Sequence, residues 1–287
     1  MRGIGAYLRP RSVEEALDAK ASIDGSRWLA GGTDLLIGVK DGKERPAALV
    51  SLRSVTEMRG VWHDGSVRIG AGTPIADCLE DPRLAVRLPV LAQAMTTMGS
   101  VQIRNAATIG GNLCTASPCA DTAPPLLVLG ARLVVRSATA GGTREIALDE
   151  FFRGPRRTVL GPHDVVTGIV IDPPAASVRG VFLKKTRVQM DLSLASVAVL
   201  LDLDGDRCRK ARVAVGSVAP TPRRLLEVER VLEGEQLSRE VVAHAAQIAR
   251  DAVAPICDLR AGDEYRRHVT GVFVRRAIEM LLAGRCS

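Results

Sequence analysis

Leu29-Ala30-Gly31-Gly32-Thr33-Asp34-Leu35-Leu36 and, further along, Ala107-Thr108-Ile109-Gly110-Gly111-Asn112-Leu113-Cys114-Thr115-Ala116-Ser117-Pro118-Cys119-Ala120-Asp121 decide how this chain is read. Each stretch sets a Gly-Gly pair beside small hydroxyl or carboxamide side chains, just after a run with strand character. Glycine has no Cβ, so backbone N–H groups in such loops can close on an anion. Together the two loops predict an anion site that takes a pyrophosphate-bearing ligand; two tight turns and a helix cap are the plainer alternative. Thr33 can donate its hydroxyl to phosphate, whereas like charge turns Asp34 toward the turn itself or a ligand hydroxyl. Thr108, Asn112 and Thr115 offer neutral donors, and Asp121 can accept from a sugar-like hydroxyl. The pattern is neither a dinucleotide fingerprint nor a P-loop. Gly70-Ala71-Gly72 gives only G-x-G, and no lysine follows a glycine loop.

Composition narrows the class. The 287 residues exceed what one core needs, which predicts two or three subdomains. Hydrophobic residues at 46% and charged residues at 25% describe a globular chain, and aromatics at 3% leave the core to Val, Leu, Ile and Ala. The net charge of +7 is spread along the chain, with Arg-Arg pairs at 156–157, 223–224, 266–267 and 275–276 read as solvated surface. No basic stripe with interleaved aromatics occurs, which argues against nucleic acid, while an acidic protein partner fits the charge. Cys78, Cys114, Cys119, Cys208, Cys257 and Cys286 form no C-x2-C pair, so reduced thiols and a cytoplasmic location are expected, with no metal site. The N-terminus lacks a signal-peptide core, and no window approaches the roughly 18 apolar residues of a membrane span. His63, His163, His244 and His268 are too scattered for a triad and read as surface or capping residues. No catalytic side chain stands out.

Ser12 with Glu15 predicts a capped helix, Arg27 to Ala30 a strand, Asp34 to Val39 a helix and Ala47 to Leu52 a buried strand. A hairpin with an Asp64-Gly65 turn follows over 60–70, then helices over 75–80 and 88–98. The second glycine motif is expected to break regular structure before a helix over 122–129 with Pro124 and Pro125 in its first turn. Strands over 131–136 and 143–148 pair across Gly141-Gly142, and a strand over 164–171 stops at Pro173-Pro174. The last third predicts three antiparallel strands, 180–185, 196–203 and 211–217, and helices over 223–233, 238–252 and 263–283.

AGGTDLL and ATIGGNLCTASPCADTAPPLLVLGA resemble the flavoprotein subunit of molybdenum hydroxylases, the xanthine dehydrogenase and carbon-monoxide dehydrogenase family. The resemblance spans essentially the whole chain. Gln102-Ile103-Arg104-Asn105, Asp164-Val165-Val166, the stretch from Phe182 to Asp191, Ala219-Pro220-Thr221-Pro222-Arg223 and Tyr265-Arg266 all fit it. It implies an α+β chain: a two-subdomain FAD-binding fold of the PCMH or vanillyl-alcohol-oxidase type, over 1–54 and 55–175, and a C-terminal domain over 178–287 with a three-stranded sheet plus helices. It implies noncovalent FAD. Arg27, Trp28, Leu29, Ala30, Gly31, Gly32, Thr33, Asp34 and Leu35 would wrap the pyrophosphate. Ala107, Thr108, Ile109, Gly110, Gly111, Asn112, Thr115 and Asp121 would form the second cofactor loop, with Val166 near the flavin or adenine and Lys184 near the ring system. Trp28 and Phe182 are the aromatic candidates to stack on the ring, and an Arg187–Asp191 ion pair would shape a loop over it. The implied partners are a large molybdopterin-binding subunit and a small [2Fe-2S] subunit in an (αβγ)2 assembly. Electrons would pass from the clusters through FAD to an acceptor such as NAD. The Cys-rich insertion that holds an extra cluster in aryl-CoA reductase relatives is missing, so no metal is expected on this chain. A stand-alone flavin oxidase or dehydrogenase, and a scaffold without flavin, stay open as rival readings.

Overall fold

The computed structural model describes residues 4–138 and 142–284. The first unit is built from β1 (Ala6–Leu8), α1 (Val13–Ser22), β2 (Arg27–Leu29), α2 (Leu35–Lys40) and β3 (Ala48–Ser51). The strands form a parallel sheet in the order β1-β3-β2, with β3 in the middle and buried along its length. Parallel pairing needs crossovers, and the two helices supply them. Ser12 caps α1 as expected: its hydroxyl accepts from the Glu15 N–H at 3.1 Å. The Glu15 carboxylate takes the N–H of Arg11 rather than that of Ser12, so the capping box is displaced by one residue.

The second unit is an antiparallel sheet ordered β4-β5-β10-β6-β7. Its hairpin β4 (Val61–Asp64) and β5 (Ser66–Gly70) turns at Gly65, whose φ of +82° explains the Asp-Gly pair. Six short helices follow before the sheet resumes: α3 (Ile75–Glu80), α4 (Pro82–Arg87), α5 (Pro89–Thr96), α6 (Val101–Ala106), α7 (Ile109–Thr115) and α8 (Ala123–Val128). Of these, α4, α6 and α7 have no counterpart in the sequence reading. Strands β6 (Arg132–Ser137) and β7 (Thr143–Ala147) pair as expected; Gly141 of their turn lies outside the described residues. A small hairpin, β8 (Phe152–Gly154) with β9 (Arg157–Thr158), precedes β10 (Asp164–Ile171).

One expectation fails here. The second glycine motif does not break regular structure, and no strand leads into it. It follows α6, and α7 runs straight through Gly110, Gly111 and Asn112. Packing is the reason: a Cβ at Gly110 would sit 2.6 Å from both the Cβ and the carbonyl oxygen of Ala71. Glycine therefore lets α7 lie against the backbone that leaves β5, and Thr108 caps the helix by accepting from the Gly111 N–H at 3.0 Å.

The C-terminal unit contains β11 (Val178–Lys185), β12 (Ala195–Asp204), β13 (Arg207–Gly216), β14 (Arg223–Arg224), α9 (Leu226–Leu232), α10 (Arg239–Asp251) and α11 (Asp263–Leu282). The sheet has four strands, not three, because Arg223 and Arg224 pair with Val215 and Ala214. The buried Glu229 carboxylate accepts from the Arg224 Nε at 2.9 Å and from the Val213 N–H at 2.9 Å, which holds this segment on the sheet edge and delays α9 to Leu226. Side-chain alternation buries both faces of the sheet. Val181, Val197, Val199, Val213 and Val215 join the core under α9–α11, while Phe182, Ala198, Leu200 and Ala214 join the core of the second unit.

Arg266 pins the far end of this domain. It is 3% exposed and donates to the carbonyls of Leu194 at 2.7 Å and Ser217 at 3.3 Å and to the Asp258 carboxylate at 2.9 Å. Burial opposes ionisation of Asp258, but the N–H groups of Arg260 and Ala261 and the Arg266 guanidinium outweigh it and hold the carboxyl down to about 2, against an ordinary 3.8. Arg266→Leu is expected to cost about 3 kcal/mol in chemical denaturation, because it strands two carbonyls and a carboxylate. A lowered carboxyl contributes stability above its unfolded value and loses it as pH falls toward the folded one. Asp258→Asn should therefore flatten the fall in stability between pH 3.8 and about 2, measured as melting temperature against pH.

Candidate functional site

The two glycine motifs meet backbone to backbone. A Cβ at Gly31 would lie 2.0 Å from the Ala106 carbonyl oxygen and 2.9 Å from the Ala107 Cα. On the other side, a Cβ at Gly111 would lie 3.6 Å from the Ala30 Cβ. The turn before α2 needs a left-handed residue at Gly32, φ +75°. Among the described residues no backbone carbonyl takes the N–H groups of Gly32, Thr33 or Asp34. They form an open set of donors at the head of the motif, half-exposed and facing no protein acceptor.

The side chains of the motifs divide by what they touch. Leu29, Ala107, Thr108 and Ile109 are all buried, leaving mainly their backbone for any ligand. Leu35 is half-buried in the first turn of α2. Thr108 spends its hydroxyl on the α7 cap. Asn112 accepts from the Thr122 hydroxyl at 2.7 Å through its carbonyl, so its amide group is left to donate. Thr115 is half-buried. Cys114 is accessible to solvent yet crowded by protein, as on the floor of a cleft, and that crowding pushes its thiol up to about 12. The carboxylate of Asp34 is not free, since it pairs with the Arg156 guanidinium at 3.3 and 3.5 Å.

Lys184 and Asp121 make a tightly buried ion pair at this site. The Lys184 ammonium at the end of β11 donates to Asp121 Oδ2 at 2.7 Å and to the Thr97 carbonyl at 3.2 Å. Burial holds the Asp121 carboxyl above the usual range, and Lys184 pulls it partly back. Asp121 Oδ1 is buried without a hydrogen-bond partner. A buried carboxylate oxygen with nothing to accept from is costly unless a ligand supplies the donor. This pair carries the C-terminal domain into the site.

Trp28 ties the two N-terminal sheets together, its indole N–H donating to the Asp164 carbonyl at 2.8 Å, two residues before the buried Val166 on β10. Arg27 points outward to Glu44 at 2.8 Å. Phe182 is 7% exposed and its ring belongs to the core shared by the second and third units, so it does not face the cleft as a stacking aromatic. The Arg187–Asp191 pair forms at 2.8 Å in the loop between β11 and β12, and the Cys119 thiol reaches the Ser193 carbonyl in that loop at 3.6 Å. His63 lies 2.9 Å from Asp81, the N-cap of α4, which makes it an accessory to a cap. Arg156 is the site neighbour that sequence reasoning missed: its Arg-Arg pair looked like ordinary surface, and only the preceding Gly154-Pro155 marked a turn. Among the described residues no three His, Cys, Asp or Glu side chains gather as a metal site, and no helix is long and apolar enough to cross a membrane. The cleft presents backbone hydrogen-bond donors and, at Asp121 Oδ1, an unsatisfied acceptor.

Known proteins match this chain over its full span. Residues 2–174 match the FAD binding domain in molybdopterin dehydrogenase, and residues 181–281 match the CO dehydrogenase flavoprotein C-terminal domain. The xanthine dehydrogenase FAD-binding subunit of Escherichia coli O157:H7 is 30% identical, over 99% of this chain and 98% of that one. The carbon monoxide dehydrogenase medium chain of Afipia carboxidovorans is 31% identical, over 95% of each. Among solved structures, carbon monoxide dehydrogenase from Hydrogenophaga pseudoflava superposes with a TM-score of 0.95 at 30% identity over 100% of both chains. Quinoline 2-oxidoreductase from Pseudomonas putida 86 gives 0.92 at 26% identity over 98% of both. With its α+β fold and both family domains present in order, the chain belongs to the FAD-binding medium subunits of the xanthine dehydrogenase and carbon monoxide dehydrogenase family of oxidoreductases.

Proposed function

We propose that this chain holds FAD noncovalently in the cleft between its two glycine motifs and relays electrons within a molybdenum hydroxylase. The observation that carries the reading is the backbone contact of Gly31 with Ala106-Ala107 beside the unpaired N–H groups of Gly32, Thr33 and Asp34. The donor set fits a pyrophosphate, and the orphaned Asp121 Oδ1 fits a hydroxyl of the ribityl chain. In this reading residues 27–35 enclose the pyrophosphate. Ala107 to Asn112 and Thr115 line the second side, Val166 lies along the cofactor, and Lys184 places a positive charge near the flavin ring. Bound FAD supplies two-electron redox chemistry. The protein's part is to bind, orient and hold charge: the backbone dipoles favour added negative charge in the ring, and Lys184 offsets the Asp121 carboxylate that would oppose it. No histidine lies in either motif, which accords with a noncovalent cofactor.

The rest of the assignment extends the same reading. Residues 1–54 and 55–175 serve as the two FAD-binding subdomains and 178–287 as the C-terminal flavoprotein domain. A large molybdopterin-binding subunit oxidises the substrate, a small [2Fe-2S] subunit delivers electrons, and an (αβγ)2 complex in the cytoplasm passes them on to an acceptor such as NAD. The separate subunit names of the medium chains in carbon monoxide dehydrogenase and nicotine 6-hydroxylase support a multi-chain enzyme.

Purified full-length chain is expected to carry, or take up, FAD with visible flavin absorbance, and to show no substrate oxidation until the partner subunits are added. Colourless protein that ignores FAD contradicts the reading. Gly31→Ala drives a methyl into the Ala106 carbonyl, so it should abolish FAD uptake and cost about 2 kcal/mol of stability, read by flavin fluorescence and thermal melting. Lys184→Met leaves the Asp121 carboxylate buried and unpaired. It should cost about 3 kcal/mol, and Asp121→Asn in the same chain should recover part of that loss in a denaturation double-mutant cycle.

A further inference from the structure

Arg156 touches both glycine motifs at once. Its backbone N–H donates to the carbonyl of Ala116, the residue that ends α7, at 2.9 Å. Its guanidinium reaches both oxygens of Asp34, the residue that opens α2, at 3.3 and 3.5 Å. Asp34 gives up capping its own helix to make this contact, since its side chain takes no N–H of α2. Both partners in the backbone contact are left-handed without being glycine: Arg156 at φ +57° and Ala116 at φ +48°. Such strain persists only where the surroundings enforce it, and it gathers at functional positions. The residue sits at the turn between β8 and β9, with Gly154 before it and open space around the glycine.

We propose that Arg156 is a positioning residue that fixes the width of the dinucleotide cleft and neutralises the carboxylate standing in its anion loop; this rests on the FAD reading above. Gly31 against Ala106-Ala107 closes the cleft on one side, and Arg156 spans it on the other, from the start of α2 to the end of α7. It also accounts for a carboxylate inside a phosphate loop. Asp34 alone would repel a pyrophosphate, and with Arg156 the pair is neutral. The pair is largely exposed, 68% for Arg156 and 43% for Asp34, so an ordinary surface ion pair here would leave both fold and ligand binding almost unchanged.

The test is FAD titration of the full-length apoprotein, followed by flavin fluorescence, with melting temperatures of the same samples. Arg156→Gln should weaken FAD roughly tenfold, the size of one lost charge-assisted contact, while the apoprotein melts as before. Arg156→Lys, which keeps the charge, should stay within about threefold of the parent. Arg156→Gly relieves the left-handed strain, so it should melt at the same or a higher temperature and yet bind FAD as poorly as Arg156→Gln. Asp34→Asn added to Arg156→Gln should cause no further loss, because the carboxylate then has no charge to repel phosphate. A parent chain that binds FAD alongside an Arg156→Gln chain that binds it equally well overturns this proposal and leaves the FAD reading standing. Losses from Arg156→Gln and Asp34→Asn that simply add overturn it as well. A parent chain that takes up no FAD overturns both.

Discussion

The fold turns on one close approach: the backbone of Gly31 against the carbonyl of Ala106 and the Cα of Ala107, where a methyl group would find 2.0 Å to the nearest atom. That contact joins the parallel sheet of the first unit to the helices of the second. It also presents the N–H groups of Gly32, Thr33 and Asp34 to open space. A side chain at position 31 would push the two units apart where the two motifs meet. Gly110 repeats the device one step further in, against Ala71, so that α7 can lie on the strand that leads to it.

The third unit is bound into this arrangement by burial and by charge. Its sheet has no free face: the valines of one side meet α9–α11, and Phe182, Ala198, Leu200 and Ala214 meet the helices of the second unit. Lys184 extends that contact into the cleft and holds one oxygen of Asp121, leaving the other without a donor. A chain built this way cannot change the surroundings of Asp121 in one unit without disturbing another.

Much of the fold was legible because its signals are local. The Ser12 cap, the Asp64-Gly65 hairpin, the prolines opening α8 and the spacing of apolar residues in α10 and α11 each report on neighbouring residues. The errors lie where distant contacts decide. Gly110-Gly111 reads as a break, yet it is helical because Gly110 lets the helix pack against Ala71, far earlier in the chain at the end of β5, and Gly111 carries the N–H that Thr108 caps. Arg223-Arg224 reads as helix, yet Glu229 and Val213 draw it onto a sheet edge. The two glycine motifs stand out in the sequence because a Gly-Gly pair beside small polar side chains is a local pattern, and the structure brings them together at Gly31 and Ala106. The role of Arg156 was not legible, because an exposed arginine pair looks the same in sequence whether it faces water or bridges two loops.

The central claim is that the meeting point of the two motifs receives a pyrophosphate. Phosphorus NMR of FAD added to the full-length apoprotein addresses it directly. The account predicts that both phosphorus resonances shift and broaden until one FAD per chain is bound, and that Gly31→Ala restores the spectrum of free FAD. Phosphorus resonances that stay at their free positions in the presence of excess parent protein would contradict it.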